Sequence, residues 1–472
     1  MTSDPTINFT GRDFTTEYER MLTLLTTELP EYTDLNHSDP GITFVRLSVR
    51  SSDQNNYYID RAAQEAFLLT ATFKQSVIDI GRASDYLPTL ASPASTRVLL
   101  TKIEGVEGSI PIPQYTEMSR LDEVAYVTTE AITIYSNESS KSVDVLQATA
   151  TEVVLTSEDF ELDDWDNRPR YNLGYGVISN ICEVSYSDEP VVEWTQVTSF
   201  WQSETTDNHY LLELNGDDDT VWLVLGNGIK GASIAPGYNL TVKYFSTVGP
   251  DGNCGTGKVS YVPDDLTLKI TCTNTEIATG GAYAESIESI REMIPACAKI
   301  QNRGVAIEDY PALIETLPGI LHVQASDRTL NTEWPHLYVV LYAVPDGGGP
   351  MSSYLRELVL TKCGDYGTFG GWPNRYILYD AIEVPTDVTV RIGILSGYNS
   401  VAVIEAVTEV ITNLFEPSLL GINYNLPFST LSSAVEGVTG VSYAEFSTPT
   451  GTMVCDVGEI LTVGTITVTI GT

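Results

Sequence analysis

The chain is long and acidic, with 472 residues, a formal net charge of −38 and 42% hydrophobic residues. This composition excludes general disorder and allows several domains. The 63 acidic residues against 25 basic ones repel phosphate backbones, so we expect no nucleic-acid partner. No apolar run reaches the roughly 20 residues of a membrane helix, and the first residues lack the features of a signal peptide. We therefore expect no membrane partner and synthesis in the cytosol.

The N-terminal region, residues 1–88, is predicted to be helical. Apolar side chains recur at helical spacing over residues 14–29. Thr10 and Asp13, just before this run, resemble a capping box. The sequence therefore predicts a first helix that is capped by Thr10 and ends before a proline.

A second helix is predicted to begin at Asp39, with this aspartate as N-cap and Pro40 at the first helical position. No further proline occurs before Arg82, so the sequence predicts one continuous rod of about 60 Å at 1.5 Å per residue. A rod of that length exceeds the needs of a small core, so we expect it to join a bundle with helices of other chains. The side chains expected to face these partners are Tyr58, Ala62, Ala66, Leu69, Phe73 and Val77.

The organisation changes after the helices. Residues 87–95 contain two prolines and small residues, and we interpret them as a linker. Short alternating runs separated by Gly, Asp and Asn predict a β-rich antiparallel domain over 96–275. A helical segment is predicted over 280–335, and an α+β domain with closing strands over 336–472. Within that domain we expect strands at 337–344, 386–395 and 440–446, and a helix over 400–415 whose buried stripe is Ile404, Val407, Ile411 and Leu414. The chain as a whole is therefore predicted to be α+β and multidomain.

Two glycine-rich stretches resemble nucleotide-binding loops without meeting their requirements. Residues 226–231, GNGIKG, fit G-x-G-x-x-G, but a strand-like run follows where a dinucleotide fold has a helix. Residues 252–259, GNCGTGKV, end in Val259 where a P-loop needs a hydroxyl for magnesium. We predict a turn between strands at the first stretch and no cofactor at either.

No cluster of side chains indicates catalysis or a metal. Acidic residues at 163–166 and 217–219 lack the ligand pattern of a calcium loop and are typical of turns, which leaves incidental calcium binding open. The six cysteines and four histidines lack zinc-site spacing, so we expect reduced thiols and no metal. Among 63 acidic residues a close carboxylate pair arises by chance, and none is singled out for glycoside hydrolysis. We predict no enzymatic activity.

Three separated stretches carry motifs in a fixed order. Residues 38–88 open with Asp-Pro-Gly on a helix, 225–253 form a glycine-bearing hairpin, and 280–323 join Gly-Gly to a Glu-Ser helix and an Asp-Tyr pair. The main motif residues are Asp39, Pro40, Gly41, Asp60, Gly226, Gly228, Gly231, Gly280, Gly281, Glu285, Arg291, Arg303, Asp309 and Tyr310. Together these stretches resemble the baseplate protein J family. Asn227 and Ala306 depart from that pattern, which has Asp and Thr there.

The resemblance implies a virion component of a tail baseplate, assembled in the host cytoplasm, in a phage or a phage-derived contractile injection system. Paired copies are expected to bind a different wedge protein through the N-terminal helices. Neighbouring copies are expected to meet through the C-terminal region in a six-fold ring around the hub, with hub and sheath-initiator proteins nearby. The resemblance also implies a relay that triggers sheath contraction, with joints at 88–95 and at Gly280–Gly281.

Two functions of other classes stay open at the level of sequence. A tail-borne glycan-degrading enzyme would turn over host polysaccharide, and no motif of the chain supports it. A carbohydrate- or receptor-binding fibre module would be a β-rich homotrimer, and the helical residues 1–88 argue against it.

Overall fold

The computed structural model describes residues 9–84, 86–163, 166–186, 192–235, 237–300, 304, 306–328, 334, 338–364 and 375–471. These residues form two compact units. The helical unit combines the described part of Met1–Pro88 with Asn215–Asp219 and Ser286–Pro295, and the mixed unit holds the other described residues. The fold is α+β and multidomain, which confirms the predicted class.

Eight α-helices lie in the described part of the chain. They are α1 (Phe14–Glu28), α2 (Pro40–Glu65), α3 (Lys74–Arg82), α4 (Ile287–Ile300), α5 (Asp309–Ile314), α6 (Ser353–Gly364), α7 (Ser400–Leu414) and α8 (Phe428–Glu436). No helix of these described stretches is both long and apolar enough to cross a membrane.

The first helix is capped differently from the prediction. Asp13 is the N-cap of α1, because its Oδ1 accepts a hydrogen bond from the backbone N–H of Thr16 at 2.7 Å. Thr10 is not part of a capping box. Its N–H and hydroxyl donate to the carboxylate of Asp60 on α2, at 2.8 and 3.1 Å. The segment before α1 is thereby attached to a buried carboxylate near the C-terminal end of the longest helix.

The prediction of one rod from Gly41 to Arg82 is wrong. The start is as predicted, since Asp39 accepts from the N–H groups of Gly41 and Ile42 at 2.8 and 3.1 Å, and Tyr32 also donates to it. However, α2 ends at Glu65 and α3 begins only at Lys74. The 26 residues of α2 span about 39 Å, so the longest helix is about two thirds of the predicted length.

The described strands all lie in the mixed unit. They are β1 (Ser95–Lys102), β2 (Ile110–Ile112), β3 (Glu117–Ser119), β4 (Ala125–Thr128), β5 (Ile132–Ile134), β6 (Ser140–Gln147), β7 (Thr149–Leu155), β8 (Glu161–Leu162), β9 (Pro169–Tyr175), β10 (Val177–Tyr186), β11 (Glu193–Gln196), β12 (His209–Leu214), β13 (Thr220–Leu225), β14 (Leu240–Ser246), β15 (Ile270–Asn274), β16 (Ile320–Ser326), β17 (Tyr338–Pro345), β18 (Arg375–Asp380), β19 (Ile382–Ile394), β20 (Val441–Thr448) and β21 (Glu459–Ile470).

Five sheets result from the pairing of these strands. Their orders are β15-β1-β6-β4-β3, β7-β14-β10-β11-β12-β13-β9-β8, β16-β17-β18, β20-β19-β21 and β2-β5. Neighbours are antiparallel except for β11–β12, β17–β18 and β19–β21, which are parallel. The sequence predicts the strands of the C-terminal region except β16 and β18.

Residues 89–95 are not a linker. Ser92 and Ala282 exchange backbone hydrogen bonds at 3.0 and 3.1 Å, and the N–H of Ser95 donates to the carbonyl of Thr279 at 2.8 Å. Ala94 is fully buried where Gly252 and Gly281 leave room for its methyl group. The two stretches predicted as joints are therefore paired with each other inside the mixed unit.

The C-terminal module of the mixed unit, residues 382–471, packs two helices on one sheet. Helices α7 and α8 cover β19, β20 and β21. The predicted buried stripe of α7 is confirmed at Val407 and Ile411, which have no exposed surface, while Ile404 and Leu414 are partly buried. These side chains form the core of the C-terminal module.

Candidate assembly interface on the helical unit

Helix α2 carries apolar side chains on two opposite faces. Ile42 and Val49 are buried on one of them, whereas Phe44, Leu47 and Tyr58 are 73%, 62% and 59% exposed. At 100° per residue the three exposed side chains fall within about 60° of one another, roughly half a turn from the buried pair. A helix that is apolar on both faces is suited to burial on both. The outer face of α2 is therefore a candidate contact surface.

The segment between α2 and α3, residues 66–73, presents a second group of exposed apolar side chains. We call it the apolar corner. Leu69 is 84% exposed, Phe67 is 53% exposed and Phe73 is 47% exposed, while Ala71 is buried. Large apolar side chains that project together from a soluble surface mark sites of protein association.

Side chains of the last turn of α2 fix the corner from within the chain. The carboxylate of Glu65 accepts the N–H groups of Thr72 and Phe73, each at 3.1 Å, and the Thr72 hydroxyl at 2.7 Å. Gln64 donates to the carbonyl of Thr70 at 3.1 Å, and the Thr70 hydroxyl donates back to the Gln64 carbonyl at 2.7 Å. These bonds satisfy backbone N–H and C=O groups that have no hydrogen-bond partner within a helix.

Arginines complete the support of the corner. Arg291 lies on α4 and donates from Nε to the carbonyl of Leu68 at 3.1 Å and from Nη2 to that of Ala71 at 2.7 Å. Arg61 donates to the Thr72 hydroxyl at 2.6 Å, and its guanidinium lies 4.8 Å from the centre of the Phe73 ring. The apolar corner is thus held in one geometry before any partner binds.

Two carboxylates that cap the ends of α2 have lowered pKa values. For Asp39, the hydroxyl of Tyr32 is the main cause, followed by the N–H of Ile42. For Glu65, burial raises the pKa, but the hydrogen bonds from Thr72 and Phe73 together outweigh it. Both groups are therefore held ionised at neutral pH, where they accept these bonds best.

The acidic turn at residues 215–219 belongs to the same unit. Asp219 forms an ion pair with Lys74 at 2.5 Å, and the N–H of Gly216 donates to the side chain of Gln75 at 2.8 Å. A Cβ on Gly216 would lie 2.7 Å from the Cα of Gln75, so only glycine allows this approach. Acidic groups beside the start of α3 also suit the helix dipole. The cluster forms a turn, as predicted.

The structure places the six predicted bundle residues in two environments. Exposed positions are Tyr58, Ala62, Ala66, Leu69 and Phe73. Val77 is fully buried in α3, so its side chain serves the core of the unit. The sequence analysis missed Phe44, Leu47 and Phe67 as exposed members. It also missed the polar support, although the Thr70-Ala-Thr72 run directly after Gln64-Glu65 could have indicated a helix end.

The glycines of residues 226–231 serve a turn. Gly228 and Gly231 have φ values of +78° and +79°, which only glycine adopts without strain. A Cβ on Gly226 would collide with the backbone of Gly231. The next regular element is β14 and not a helix, so the predicted turn is confirmed.

The remaining motif residues lie in the mixed unit or at its margin. Gly280 has a φ of +89°, and a Cβ on Gly281 would meet the carbonyl of Gly249. Glu285 exchanges two hydrogen bonds with the backbone of Thr89, each at 3.0 Å. Further motif residues are Asp309, which accepts from the Ala306 N–H at 2.8 Å, and the buried Tyr310. Arg303 lies outside the described residues.

The mixed unit also contains a cleft of about 440 Å³, lined by Glu308, Glu315 and His322 among others. Burial raises the pKa of Glu315 to about 7, although the N–H of Val323 donates to it at 2.8 Å. Within the described ranges, no group of three or more His, Cys, Asp or Glu residues is placed to hold a metal ion.

Part of the helical unit matches a known protein family. Residues 13–83, which include α1, α2 and the apolar corner, match the family model described as the N-terminal domain of bacteriophage baseplate proteins. The match covers the segment that carries the candidate interface. It supports a relation to phage baseplate proteins for this part of the chain.

Among particular proteins, the chain is similar to the baseplate wedge protein gp6 of Enterobacteria phage T4. The two are 22% identical over 346 residues, which is 66% of this chain and 51% of that protein. The chain thus spans about half the length of this curated relative. The match supports the baseplate wedge family, whereas neither comparison distinguishes the protein J branch that the motifs resemble.

Chains of two solved assemblies align with this chain at low structural similarity. One is the anti-feeding prophage baseplate, at 11% identity and a TM-score of 0.34 over 97% of this chain and 95% of that one. The other is the TssK–TssF–TssG baseplate subcomplex of the type VI secretion system, at 10% identity and a TM-score of 0.31 over 73% and 95%.

Proposed function

We propose that this protein is a structural component of a baseplate wedge in a contractile tail or a related injection system. The observation that carries the proposal is the coincidence of the family match over residues 13–83 with the rigid apolar corner inside it. A protein whose matched segment exposes anchored apolar side chains is built to be covered by a partner. We expect it to have no enzymatic activity and to need no cofactor.

The proposed partner at this surface is a helix of a different wedge chain, bound beside a second copy of this one. Leu69 and Phe73 would act as anchors in an apolar pocket of the partner, with the outer face of α2 extending the contact. Because hydrogen bonds already fix the corner, little backbone entropy is lost on binding. Exposed side chains fixed in this way are typical of the few residues that dominate binding energy.

In the assembled particle we expect the protein in the tail baseplate of the virion, as part of a six-fold ring around the hub. Hub and sheath-initiator proteins are the further expected neighbours. The particle would be assembled in the host cytoplasm, and its source would be a phage or a phage-derived injection system. Membership of the protein J branch is part of the same proposal.

The proposed relay of the contraction trigger works by movement of rigid bodies. The pairing of Ser92 with Ala282 makes residues 89–95 and 279–282 parts of one such body. A disulfide across that pairing should therefore leave contraction unchanged, and tails that fail to contract would show that this ladder opens during triggering.

The proposed interface is tested by Leu69→Asp in the co-expressed wedge. Charge at an anchor should weaken binding of the partner wedge chain by a factor on the order of 30, the equivalent of one strong interface residue. Leu268→Asp is the matched control, because Leu268 in the mixed unit is equally exposed, at 84%. Affinity is measured by titration of the purified partner.

Unchanged binding by Leu69→Asp would contradict the proposal, and so would an equal loss in both variants. Circular dichroism and melting of each variant alone establish that the chain is still folded. An assay on host polysaccharide with the wild-type protein addresses the enzymatic alternative, and turnover there would overturn the purely structural role.

A further inference from the structure

The cleft of the mixed unit has three walls. Helix α5 forms the first wall together with Glu308 before it and Glu315 after it, and strand β16 forms the second. The loop between α7 and α8 forms the third with Gly421 and Ile422. The volume of about 440 Å³ lies within the range of roughly 300–1,000 Å³ that is typical of ligand sites. The cleft is therefore large enough to receive a whole side chain.

Hydrogen bonds join the third wall of the cleft to the second. The side-chain oxygen of Gln324 on β16 accepts the N–H of Gly458 at 2.8 Å. The carbonyl of the next residue, Glu459, accepts the N–H of Asn423 at 2.7 Å. Asn423 directly follows the two cleft residues of its loop, so this loop is held beside β16. The cleft is thus formed before any ligand binds.

The lining of the cleft is acidic. Its described residues include two carboxylates, Glu308 and Glu315, and no lysine or arginine. Glu315 accepts the N–H of Val323 at 2.8 Å with one oxygen, Oε1. No lysine or arginine of the described part of the chain forms an ion pair with Glu315, and burial raises its pKa to about 7. Among these residues Glu315 therefore has no counter-ion.

A cation with an aliphatic stem fits this lining best. A positive group within about 4–6 Å of a carboxylate stabilises its ionised form, and a hydrogen bond between charged groups is about twice as strong as a neutral one. Ile307, Pro311 and Ile422 line the same cleft with apolar atoms, which suit a methylene chain behind a charged head. A flexible apolar stem with a positive end is the chemistry of lysine and arginine side chains.

The net charge of the chain indicates the source of this cation. A second copy carries the same net charge of −38 and is repelled, whereas a basic protein is attracted by the same field. A bare metal ion fits poorly, because no group of three or more His, Cys, Asp or Glu residues within the described ranges is placed to hold one. A basic residue on the surface of a different protein is the occupant that these charges favour.

We propose that the cleft between α5, β16 and the α7–α8 loop is a docking pocket for a lysine or arginine side chain of a basic partner protein. Glu315 binds the charged end of that side chain, and the exposed Glu308 adds to the attraction. The pocket belongs to the mixed unit, whereas the apolar corner belongs to the helical unit. The chemistry of the pocket is independent of the wedge proposal, and only the expectation that the partner is another protein of the tail particle rests on it.

The chemistry is tested on the full chain with small probes. Nα-acetyl-lysine amide and Nα-acetyl-arginine amide carry the positive charge, and Nα-acetyl-norleucine amide and Nα-acetyl-citrulline amide are their neutral counterparts. The δ1-methyl NMR signal of Ile422, assigned with Ile422→Val, follows each titration. At about pH 8 Glu315 is ionised and lysine is still protonated. We expect the cationic probes to bind more tightly than the neutral ones by about tenfold or more.

Two variants of the cleft separate charge from shape. Glu315→Gln keeps the size of the side chain and should abolish the preference for cationic probes. Glu107→Gln is the matched control, because it removes the same charge from an exposed turn outside the cleft. A Cβ on Gly421 meets nothing within 4 Å, so Gly421→Leu narrows the cleft with both carboxylates in place. It should weaken binding of the cationic probes by about tenfold. Circular dichroism and melting confirm that each variant is folded.

Three results would overturn the proposal. The first is equal affinity of the charged and the neutral probes for the wild-type chain. The second is a preference for cations that survives Glu315→Gln, or that Glu107→Gln abolishes to the same extent. The third is unchanged binding by Gly421→Leu, because the probes would then bind outside the cleft.

The protein partner is tested by labelling carboxylates with carbodiimide and glycinamide, in the isolated chain and in purified tail particles. Peptide mass spectrometry measures the labelling of Glu315, which should be slower by about tenfold or more in the particles, because the partner side chain covers it. Equal labelling in particles that contain the chain would overturn the proposal. Absence of the chain from the particles would instead contradict the proposed function, and the isolated chain should bind the cationic probes in either case.

Discussion

The helical unit and the C-terminal module expose apolar surface in opposite ways. The helical unit leaves large side chains such as Phe44 and Leu69 in solvent, and hydrogen bonds to the Glu65 carboxylate hold the backbone beside Leu69. The C-terminal module buries its apolar side chains under α7 and α8 and leaves the backbone edge of β21 open. The first arrangement presents apolar side chains to solvent, and the second presents backbone groups of a strand edge.

The two regions should respond differently to mutation. At the apolar corner, specificity depends on a few anchors and on the polar groups that hold them, so single substitutions should have large effects. In the C-terminal module the apolar side chains are packed under α7 and α8, so substitutions there should act on stability rather than on binding.

The largest effect on stability is expected from Arg291→Ala. It leaves the carbonyls of Leu68 and Ala71 without their charged donor, which should cost about 2–3 kcal/mol locally. Faster amide hydrogen exchange over residues 66–73 and weaker binding of the partner wedge chain should follow. Arg20→Ala, which removes only a surface pair, should change stability by less than about 1 kcal/mol. Equal effects of the two variants would show that the corner is not fixed by Arg291.

Gly216→Ala should have the next largest effect. The added methyl would collide with the backbone of Gln75, and overpacking of this kind costs about 1–3 kcal/mol. Gly255→Ala is the control, because nothing lies within 4 Å of its Cβ position. Urea unfolding of both variants measures the difference, and an unchanged midpoint for Gly216→Ala would mean that the turn 215–219 does not pack on α3 in solution.

Acid should weaken the helical unit. The folded-state pKa of Glu65 is lowered, so its stabilising contribution is present above the unfolded value near ~4.3 and is lost as the pH falls through the folded pKa. Glu65→Gln should flatten this dependence between about pH 5 and pH 3. Urea midpoints of both proteins against pH measure it, and parallel curves would contradict the role of the ionised carboxylate.

The mixed unit should lose stability when the pH rises, by a smaller amount than the helical unit loses in acid. Burial raises the pKa of Glu315 to about 7, so the stability linked to its protonated form is present at acidic pH and is lost as the pH rises through that value. Glu315→Gln mimics the protonated side chain and should remove the decline. Equal declines in both proteins would show that Glu315 titrates normally.

The sequence predicts the C-terminal module better than the helical unit for a physical reason. In α7 the stripe through Val407 and Ile411 arises from local periodicity, and the same residues form the core. Around residue 66 the apolar spacing continues through Leu69 and Phe73 without proline or glycine, so the pattern predicts helix. The break there is supported by Arg291, more than 200 positions away, and the only local indication of it is the Thr70-Ala-Thr72 run, whose hydroxyls bond to Gln64 and Glu65.

The prediction of a linker at residues 89–95 is wrong for a related reason. Proline and small side chains are typical of linkers, but Ala94 and Ser92 are small because backbone at Gly280–Gly281 packs directly against them. Similarly, the sequence could not show that Tyr58 and Leu69 are exposed, because exposed and buried apolar residues follow the same helical spacing. Which apolar face is left for a partner depends on tertiary packing.

The central claim, that this protein is a baseplate wedge component, is tested most directly by quantitative mass spectrometry of purified tail particles. The amount of this chain is scaled against the sheath protein of the same particles. We expect a low and fixed copy number that is a multiple of six. Absence of the chain from intact particles, or an amount that varies between preparations, would contradict the claim.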